Sequence, residues 1–580
     1  MKRRLFLLNG LLFFVFAGFA QQNTNQGQNF LDDLQYHQAR SFYLNRLKAY
    51  PNDLRTSCSL GDTYLYLQNP DSAKLMYQQA MTADPKSPFP VIGLGKVAMF
   101  KGDKAGELDL FEKARKADKK NPEVYYLIAK GCFDLSKKDT ATGNKYLSQG
   151  MDVNSKYAPY HILYGDYELI RHKFGSASNA YERAIYFDAN YALAYRKLGV
   201  IQTLARANRD AANSFNKCIG LNDNQILVFK NLGDLYYGTG RYSEAEKNYQ
   251  IYMSRAEVSY DDRERYAIIL FFNKKYDESK KLLNEVMNQK GDESVLLRVR
   301  GYIAFETGDY AKGVEDLSKF FKIHDPEKNI TSDYVYYGRL LQKVGKDTLA
   351  IANYNKALEM DSTKTEIYDD LAKLYASNKM HNEAAAVYKK MIENGADKLS
   401  AMFLIGKEYY FQSEIFKSKF DTLVRQRANS KAVLPDSVML CGNRRLFLQK
   451  ADSAFTIVTE LNPQYAGGFM WRGRMNAALD PEADTGAAKD IYEKALAIFD
   501  AGDQTKNRKS VIECYKYLGS YYFLSSERLL KSDKKQSEAL KQTSIEFWKK
   551  ILIIDPNDEQ ALEVFKKLKI PVPTTAPASN

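Results

Sequence analysis

Small residues recur every 34 positions along this chain: Gly131 in IAKGCF, Gly165 in ILYGDYE, Gly199 in YRKLGVI and Gly233 in NLGDLYY. A fixed period of that length means stacked copies of one supersecondary unit and not one large core. After a two-residue insertion the series runs back through Gly95 and Gly61. It runs forward through Ala267 and Gly301, then, past a three-residue insertion, through Gly338, Ala372 and Gly406. Each of these residues interrupts a strong amphipathic helical pattern, where glycine costs about 1 kcal/mol relative to alanine. The contact made at that position must outweigh the cost, so the spacing predicts a second helix packed very close to each small residue.

Twelve residues after the small residue an alanine often recurs, with an aromatic four further on. The pairs are Ala73/Tyr77, Ala177/Tyr181, Ala211/Phe215, Ala245/Tyr249, Ala350/Tyr354 and Ala384/Tyr388, each on one helix face. Loop signals such as GDY, TGR and NKM separate the halves, and units end at ADP, FDAN, LNP or IDP, where the residue before proline disfavours helix. At these residues the chain resembles the tetratricopeptide repeat family, whose pattern is W-x2-L-G-x2-Y, then A-x3-F, then P over about 34 residues. Tyr195 and Phe229 stand where that pattern has Trp. The resemblance covers nearly the whole chain beyond its leader. It implies an all-α, right-handed α-solenoid of about 13 helix hairpins, in which each hairpin buries its apolar face on its neighbours. The 42 Tyr and 31 Phe are then expected to fill the spaces between hairpins.

Boundaries follow from the same reading. Lys2, Arg3 and Arg4 precede an apolar run from Leu5 to Phe19 that ends in Gly18-Phe19-Ala20, the layout of a secretory signal peptide over residues 1–20. The run is short for a membrane span. A polar segment at 21–34 comes next, then a repeat array over 35–411, an insertion within one repeat at 412–446, further repeats over 447–557, a capping helix at 558–568 and a disordered tail at 569–580. The leader holds three of the cations in the net charge of +13, which leaves +10 for the mature chain. That surplus is mild, and with export it leaves nucleic acid outside the expected partners. Cys58, Cys132, Cys218, Cys441 and Cys514 are widely spaced, without CxxC, and are expected to be buried apolar residues.

No catalytic constellation is legible. His37, His161, His172, His324 and His381 show no metal-ligand spacing, and neither a phosphate loop nor a GxSxG elbow is present. The expectation is a non-enzymatic chain with no cofactor and no metal. Asp421, Arg425, Arg427, Asp436 and Cys441 in the insertion are the only material for an enzyme reading. By resemblance to the family, a concave groove is lined three residues before and one or four after each small residue. The positions are Arg196, Lys230, Tyr237, Phe271, Arg298, Tyr302 and Arg339, with Val200, Thr203, Asp234, Glu264, Ile268 and Phe305 beside them. Cations alternating with aromatics suit an extended peptide bearing acidic groups. Asp-Ser/Thr steps resemble the O-glycan acceptor motif of exported Bacteroidetes proteins, with Thr422 and Ser437 the best candidates and helix capping the competing explanation elsewhere. The chain is accordingly expected to be a periplasmic or outer-membrane-associated scaffold for other envelope proteins, with membrane association only peripheral or through partners. A glycan or cell-wall binder using exposed groove aromatics is the alternative.

Overall fold

The computed structural model describes residues 26–135, 138–426, 435–500 and 507–572. The expected leader and most of the expected tail lie outside the described residues. Among those described the chain is helical, with no strand. It divides into two compact units, Met1–Val299 and Arg300–Asn580, the division falling within the helix Ser294–Glu306.

In the first unit consecutive helices pair as hairpins, for example Leu54–Tyr66 with Pro70–Ala83, Ala192–Leu204 with Asn208–Leu221, and Leu227–Gly238 with Tyr242–Arg255. Their starts are set locally. Asp53, Asn69, Ser87, Asp103, Asn121 and Asp139 each accept a hydrogen bond from a first-turn backbone N–H, and Pro70, Pro88 and Pro122 follow directly, where a missing N–H costs nothing. The turn inside each hairpin needs one residue in the left-handed region. Gly102 and Gly240 supply it without steric cost, whereas Gln68, His172, Arg206 and Lys274 adopt φ near +60° in the same place.

Most of the recurring small residues meet a ring, whereas Gly131 meets the aliphatic stem of Lys96 and Gly301 meets Leu317. A β-carbon added at Gly233 would lie 2.5 Å from Tyr249 Cδ2, one at Gly199 2.6 Å from Phe215, and one at Gly95 2.6 Å from Phe111. In each case the ring lies sixteen residues on, on the second helix of the same hairpin. The aromatics therefore fill the space within hairpins first, and not chiefly between them as the sequence suggested, because the bare backbone leaves a slot there. Tyr77 does both, resting on Gly61 of its own hairpin and Gly93 of the next. Where the ring is tyrosine its hydroxyl finds the acid that follows the glycine: Tyr77 donates to Asp62 at 2.6 Å, Tyr181 to Asp166 at 2.7 Å and Tyr249 to Asp234 at 2.5 Å.

The second unit repeats the arrangement from Tyr310–Ile323 onward, with one change. The helices Lys398–Gln426 and Pro435–Leu461 are about twice the usual length, so most of the stretch read as an insertion at 412–446 is helix that prolongs both arms of one hairpin. The base of that hairpin keeps the usual contact, since Gly406 faces Phe455 at 2.7 Å although 49 residues separate them. Asp421, Arg425, Asp436 and Cys441 ride on these arms, while Arg427 lies outside the described residues. The helix Glu559–Leu568 ends the array, burying Ala561 and Phe565 in a cluster with Trp548. Cys132, Cys218 and Cys514 are buried and Cys58 is half-buried, and burial pushes these four thiols up to about 12. Cys441 departs from the expectation and is exposed, because the prolonged hairpin carries it away from the core.

A direct test of the ring contact is Gly233→Ala. The added methyl overpacks against Tyr249 and is expected to cost ~1–3 kcal/mol despite the better helix propensity of alanine. Gly175→Ala, where a β-carbon meets nothing within 4 Å, is the control and should be neutral or stabilising. Urea unfolding followed by far-UV circular dichroism reads both, and equal stability of Gly233→Ala and the parent would refute the contact as the reason for the glycine.

Candidate functional site on the inner face of the first unit

The first helices of successive hairpins touch one another. Leu54–Tyr66 packs on Pro88–Lys101, which packs on Pro122–Asp134, and Ala192–Leu204 packs on Leu227–Gly238. Their shared face carries charge that is matched between neighbours. The Lys96 ammonium lies 2.9 Å from Asp62, one hairpin earlier, and Lys197 lies 2.8 Å from Asp166. The glycine-following acids thus accept both a tyrosine hydroxyl and a cation from the next hairpin.

Against this face lies the first helix of the array's own first hairpin, in which Gly27 meets Tyr43, sixteen residues on, as in the later hairpins. Residues 26–32 are helical, and a short turn leads into the helix Tyr36–Ala49. Asn29 Oδ1 accepts hydrogen bonds from Asn222 Nδ2 and Gln225 Nε2, both at 3.1 Å. The Asp32 carbonyl accepts from Arg196 Nη2 at 2.8 Å. Phe30 packs on the apolar cluster that contains Phe229 and Leu232. Gln35 Oε1 accepts from the Glu257 backbone N–H, and the Glu257 carboxylate accepts in turn from the backbone N–H groups of His37 and Gln38. Glu257 therefore caps, from more than 200 residues away, a helix whose own N-cap residue Gln35 makes no side-chain cap. Beside the segment lies a cavity of about 1130 Å³, lined by groups such as Asp32, Asp62, Tyr126, Lys130 and Asn190.

The structure places the sequence-predicted residues as follows. Arg196 is only 4% exposed, and besides the Asp32 carbonyl it meets Gln225 at 3.3 Å and Asp33 at 3.7 Å. Lys230 lies 3.1 Å from Asp234 and 3.3 Å from Asp262. Tyr237 is half-buried, with its centroid 6.0 Å from both Tyr242 and Phe272 and the Arg265 guanidinium over its face. Phe271 is buried beside Phe272 and Tyr276. Arg298 is half-buried on the helix Ser294–Glu306.

In the second unit Tyr302 is buried, stacked 4.1 Å from Tyr336 and donating to Asp333 at 2.6 Å, and Arg339 is held by Asp370 at 2.6 Å. Thr422 is exposed but sits mid-helix, its hydroxyl donating to the Ser418 carbonyl, and Ser437 lies in the first turn of Pro435–Leu461. Of the other Asp-Ser/Thr steps, Asp139 is a helix cap, while at 71–72 the cap is Asn69 and Asp452 is mid-helix, reaching Arg472 and Asn476. Several of the predicted groove cations are thus already neutralised by carboxylates of this same chain. The residues that meet this first helix, Asn222, Gln225 and Glu257, carry no repeat signature, but the helix does: Gly27 lies 34 residues before Gly61, with Ala39 twelve and Tyr43 sixteen residues on, so the stretch expected as a polar segment at 21–34 is helical from 26 and belongs to the first hairpin. Among the described residues no His, Cys, Asp or Glu group has a metal-binding arrangement, and no helix is long and apolar enough to cross a membrane.

Burial of Asp33 against this face pushes its carboxyl up to about 6, with Arg196 and the backbone N–H groups of Leu227 and Ile226 acting in the opposite sense and Asp32 adding to the rise. Tyr252 and Cys218 also lie within its field. A raised carboxyl favours the packed first hairpin below the ordinary aspartate range and loses that contribution as pH climbs through about 6. Hydrogen exchange of residues 29–38, corrected for intrinsic rates, is expected to be slower at pH 5 than at pH 7.5, and Asp33→Asn should remove that difference.

Comparison with known proteins agrees with the repeat. The family model described as Tetratricopeptide repeat matches residues 54–87. A TPR repeat-containing protein of Methanocaldococcus jannaschii is 27% identical over 142 residues, which span 24% of this chain and 24% of that protein. The chain thus matches about a quarter of the length of that relative. Among solved structures, the C-terminal part of a TPR repeat-containing protein from Cytophaga hutchinsonii is 26% identical, covering 52% of this chain and 98% of that one, with a TM-score of 0.38. A tetratricopeptide repeat protein from Parabacteroides merdae is 20% identical, covering 50% of this chain and 98% of that one, with a TM-score of 0.27. The hairpin at 54–87 is thus matched as a tetratricopeptide repeat, and most of the other hairpins repeat its contact between a small residue and a ring.

Proposed function

We propose that this chain is an exported, non-enzymatic scaffold that holds protein segments on the inner face of its hairpins, working in the periplasm or at the outer membrane within an envelope transport or secretion assembly. The observation that supports the segment-binding part is that this face receives polypeptide from another hairpin: the first helix of the array meets it from 164 or more residues away in sequence. Residues 29–38 are held through side-chain and backbone hydrogen bonds and the half-buried ring of Phe30. Lys230, Tyr237 and Arg265 extend the face beyond these contacts. The export part is supported by Lys2, Arg3 and Arg4 ahead of the apolar run to Phe19. The glycan reading has less support, because the rings it requires at Phe271 and Tyr302 are packed against neighbours instead of presented.

Two measurements test this. N-terminal sequencing of the protein recovered from its native cells should begin at Gln21, in the envelope fraction; recovery from the cytoplasm with Met1 intact would remove export. Crosslinking and co-purification with the tagged full chain should recover a defined envelope protein, and the folded double variant Lys230→Ala, Tyr237→Ala should lose most of it. Equal recovery by both forms would move the binding surface elsewhere.

A further inference from the structure

The prolonged hairpin of the second unit keeps one antiparallel register along its arms. Gly406 meets Phe455 at the base, Phe416 stacks on Phe447 at 5.6 Å, and Leu423 and Leu440 line one shallow hollow near the end. In that register Val424 lies level with Val438 and Met439, and Lys419 lies level with Arg444 and Arg445. The arms are thus joined by their own rings and leucines, yet Val424, Val438 and Met439 are 51%, 62% and 58% exposed. Single exposed apolar side chains are ordinary, but three on one level of one hairpin make a patch. Five residues nearer the base on each arm, Lys419 and Arg445 are exposed and Arg444 is half-buried, its Nε shut from water with no acceptor. Stretches 411–426 and 435–450 hold six cations against three acids. Among the described residues they carry a single ion pair, Lys417 with Glu414 at 4.0 Å. Of the other two acids, Asp421 is half-buried and Asp436 lies in the first turn of the second arm, where a carboxylate offsets the positive end of the helix.

An occupant of this end has to be anionic, because a second copy would set the same surplus of cations against itself. The order of the two tiers favours a bilayer over an acidic protein. Five residues of helix rise about 7.5 Å, and an amphipathic element on a membrane buries its apolar side chains about 5–10 Å into the boundary between headgroups and acyl chains. With the apolar tier at that depth, the cationic tier lies at the headgroup phosphates, where an anionic leaflet attracts it. Arg425 belongs to the apolar tier, and its long stem lets the guanidinium reach back to the same level. The apolar tier also spans both arms, which suits end-on entry into a fluid surface, whereas a protein groove receives one helix face. We propose that the end of the prolonged hairpin is a peripheral membrane contact, in which Val424, Val438 and Met439 enter the surface of an anionic phospholipid bilayer and Lys419, Arg444 and Arg445 meet its phosphates. The contact goes beyond the scaffold reading and uses no residue of the inner face.

The test is co-sedimentation of the full chain with unilamellar vesicles, either phosphatidylcholine alone or phosphatidylcholine and phosphatidylglycerol in equal parts. The anionic vesicles should bind at least about tenfold more tightly, and added salt should erode the preference. Two double variants at exposed positions, Val438→Glu with Met439→Glu and Lys419→Glu with Arg445→Glu, should each lose about tenfold or more on the anionic vesicles, with circular dichroism confirming that they are folded. Entry is read separately from adsorption: in Met439→Trp, brominated phosphatidylglycerol should quench the new indole, while wild type, whose Trp471 and Trp548 lie in the repeats, keeps its emission. Equal binding to both vesicle types, binding that survives both double variants, or an unquenched Met439→Trp overturns the proposal. So does loss of a co-purified acidic protein by Lys419→Glu with Arg445→Glu when wild type binds no vesicles, which assigns the end to that protein. Lys230→Ala with Tyr237→Ala should bind vesicles as wild type does, so failure here leaves the inner-face reading standing, and failure there leaves this contact standing.

Discussion

In most hairpins the contact between a glycine on the first helix and a ring on the second, commonly sixteen residues later, lets the two helices lie close together. With no β-carbon at Gly199 or Gly233, Phe215 and Tyr249 lie flat on backbone, where they bury their faces at no cost in strain. The pairing is local in sequence, so each hairpin forms its own framework and the array can extend by repetition. Even the prolonged hairpin, with arms Lys398–Gln426 and Pro435–Leu461, preserves the contact at its base through Gly406 and Phe455. Length is tolerated in the arms because nothing beyond the base has to match a neighbour.

Polar chemistry is added to this framework in two layers. The acid after the glycine accepts the tyrosine hydroxyl inside the hairpin and a cation from the next one, as Asp62 does with Tyr77 and Lys96. This satisfies groups that would otherwise be costly to bury, and it consumes charges that look available in the sequence. The second layer is the first hairpin, whose Asp32 carbonyl accepts a hydrogen bond from Arg196 and whose second helix borrows Glu257 as a cap. Several of the cations on the inner face of the first unit are therefore already matched by groups of the same chain.

Much of the fold could be read directly because its signals repeat. The glycine at position 233, the alanine twelve on and the tyrosine sixteen on mark helix, turn and helix without reference to anything distant. The groove positions were legible as positions, but their state was not. Lys230 and Arg339 read as presented cations, and the acids that hold them, Asp262 and Asp370, sit in the next hairpin at spacings of 32 and 31 that look like ordinary helix-surface charge. Phe271 and Tyr302 read as groove aromatics and are packed rings.

By itself, then, the sequence determined the unit, its period and the reason for its glycines, since those depend on contacts within about 34 residues that recur with the same residue types. The tertiary structure alone decided what the inner face of the first unit meets. Asn29 reaches Asn222 and Gln225, and Gln35 reaches Glu257, only because the stacking of the hairpins between them brings the first hairpin against residues more than 190 positions away. No local pattern encodes a meeting that arises once, between groups of no repeated type, at a separation set by the sum of many packing angles.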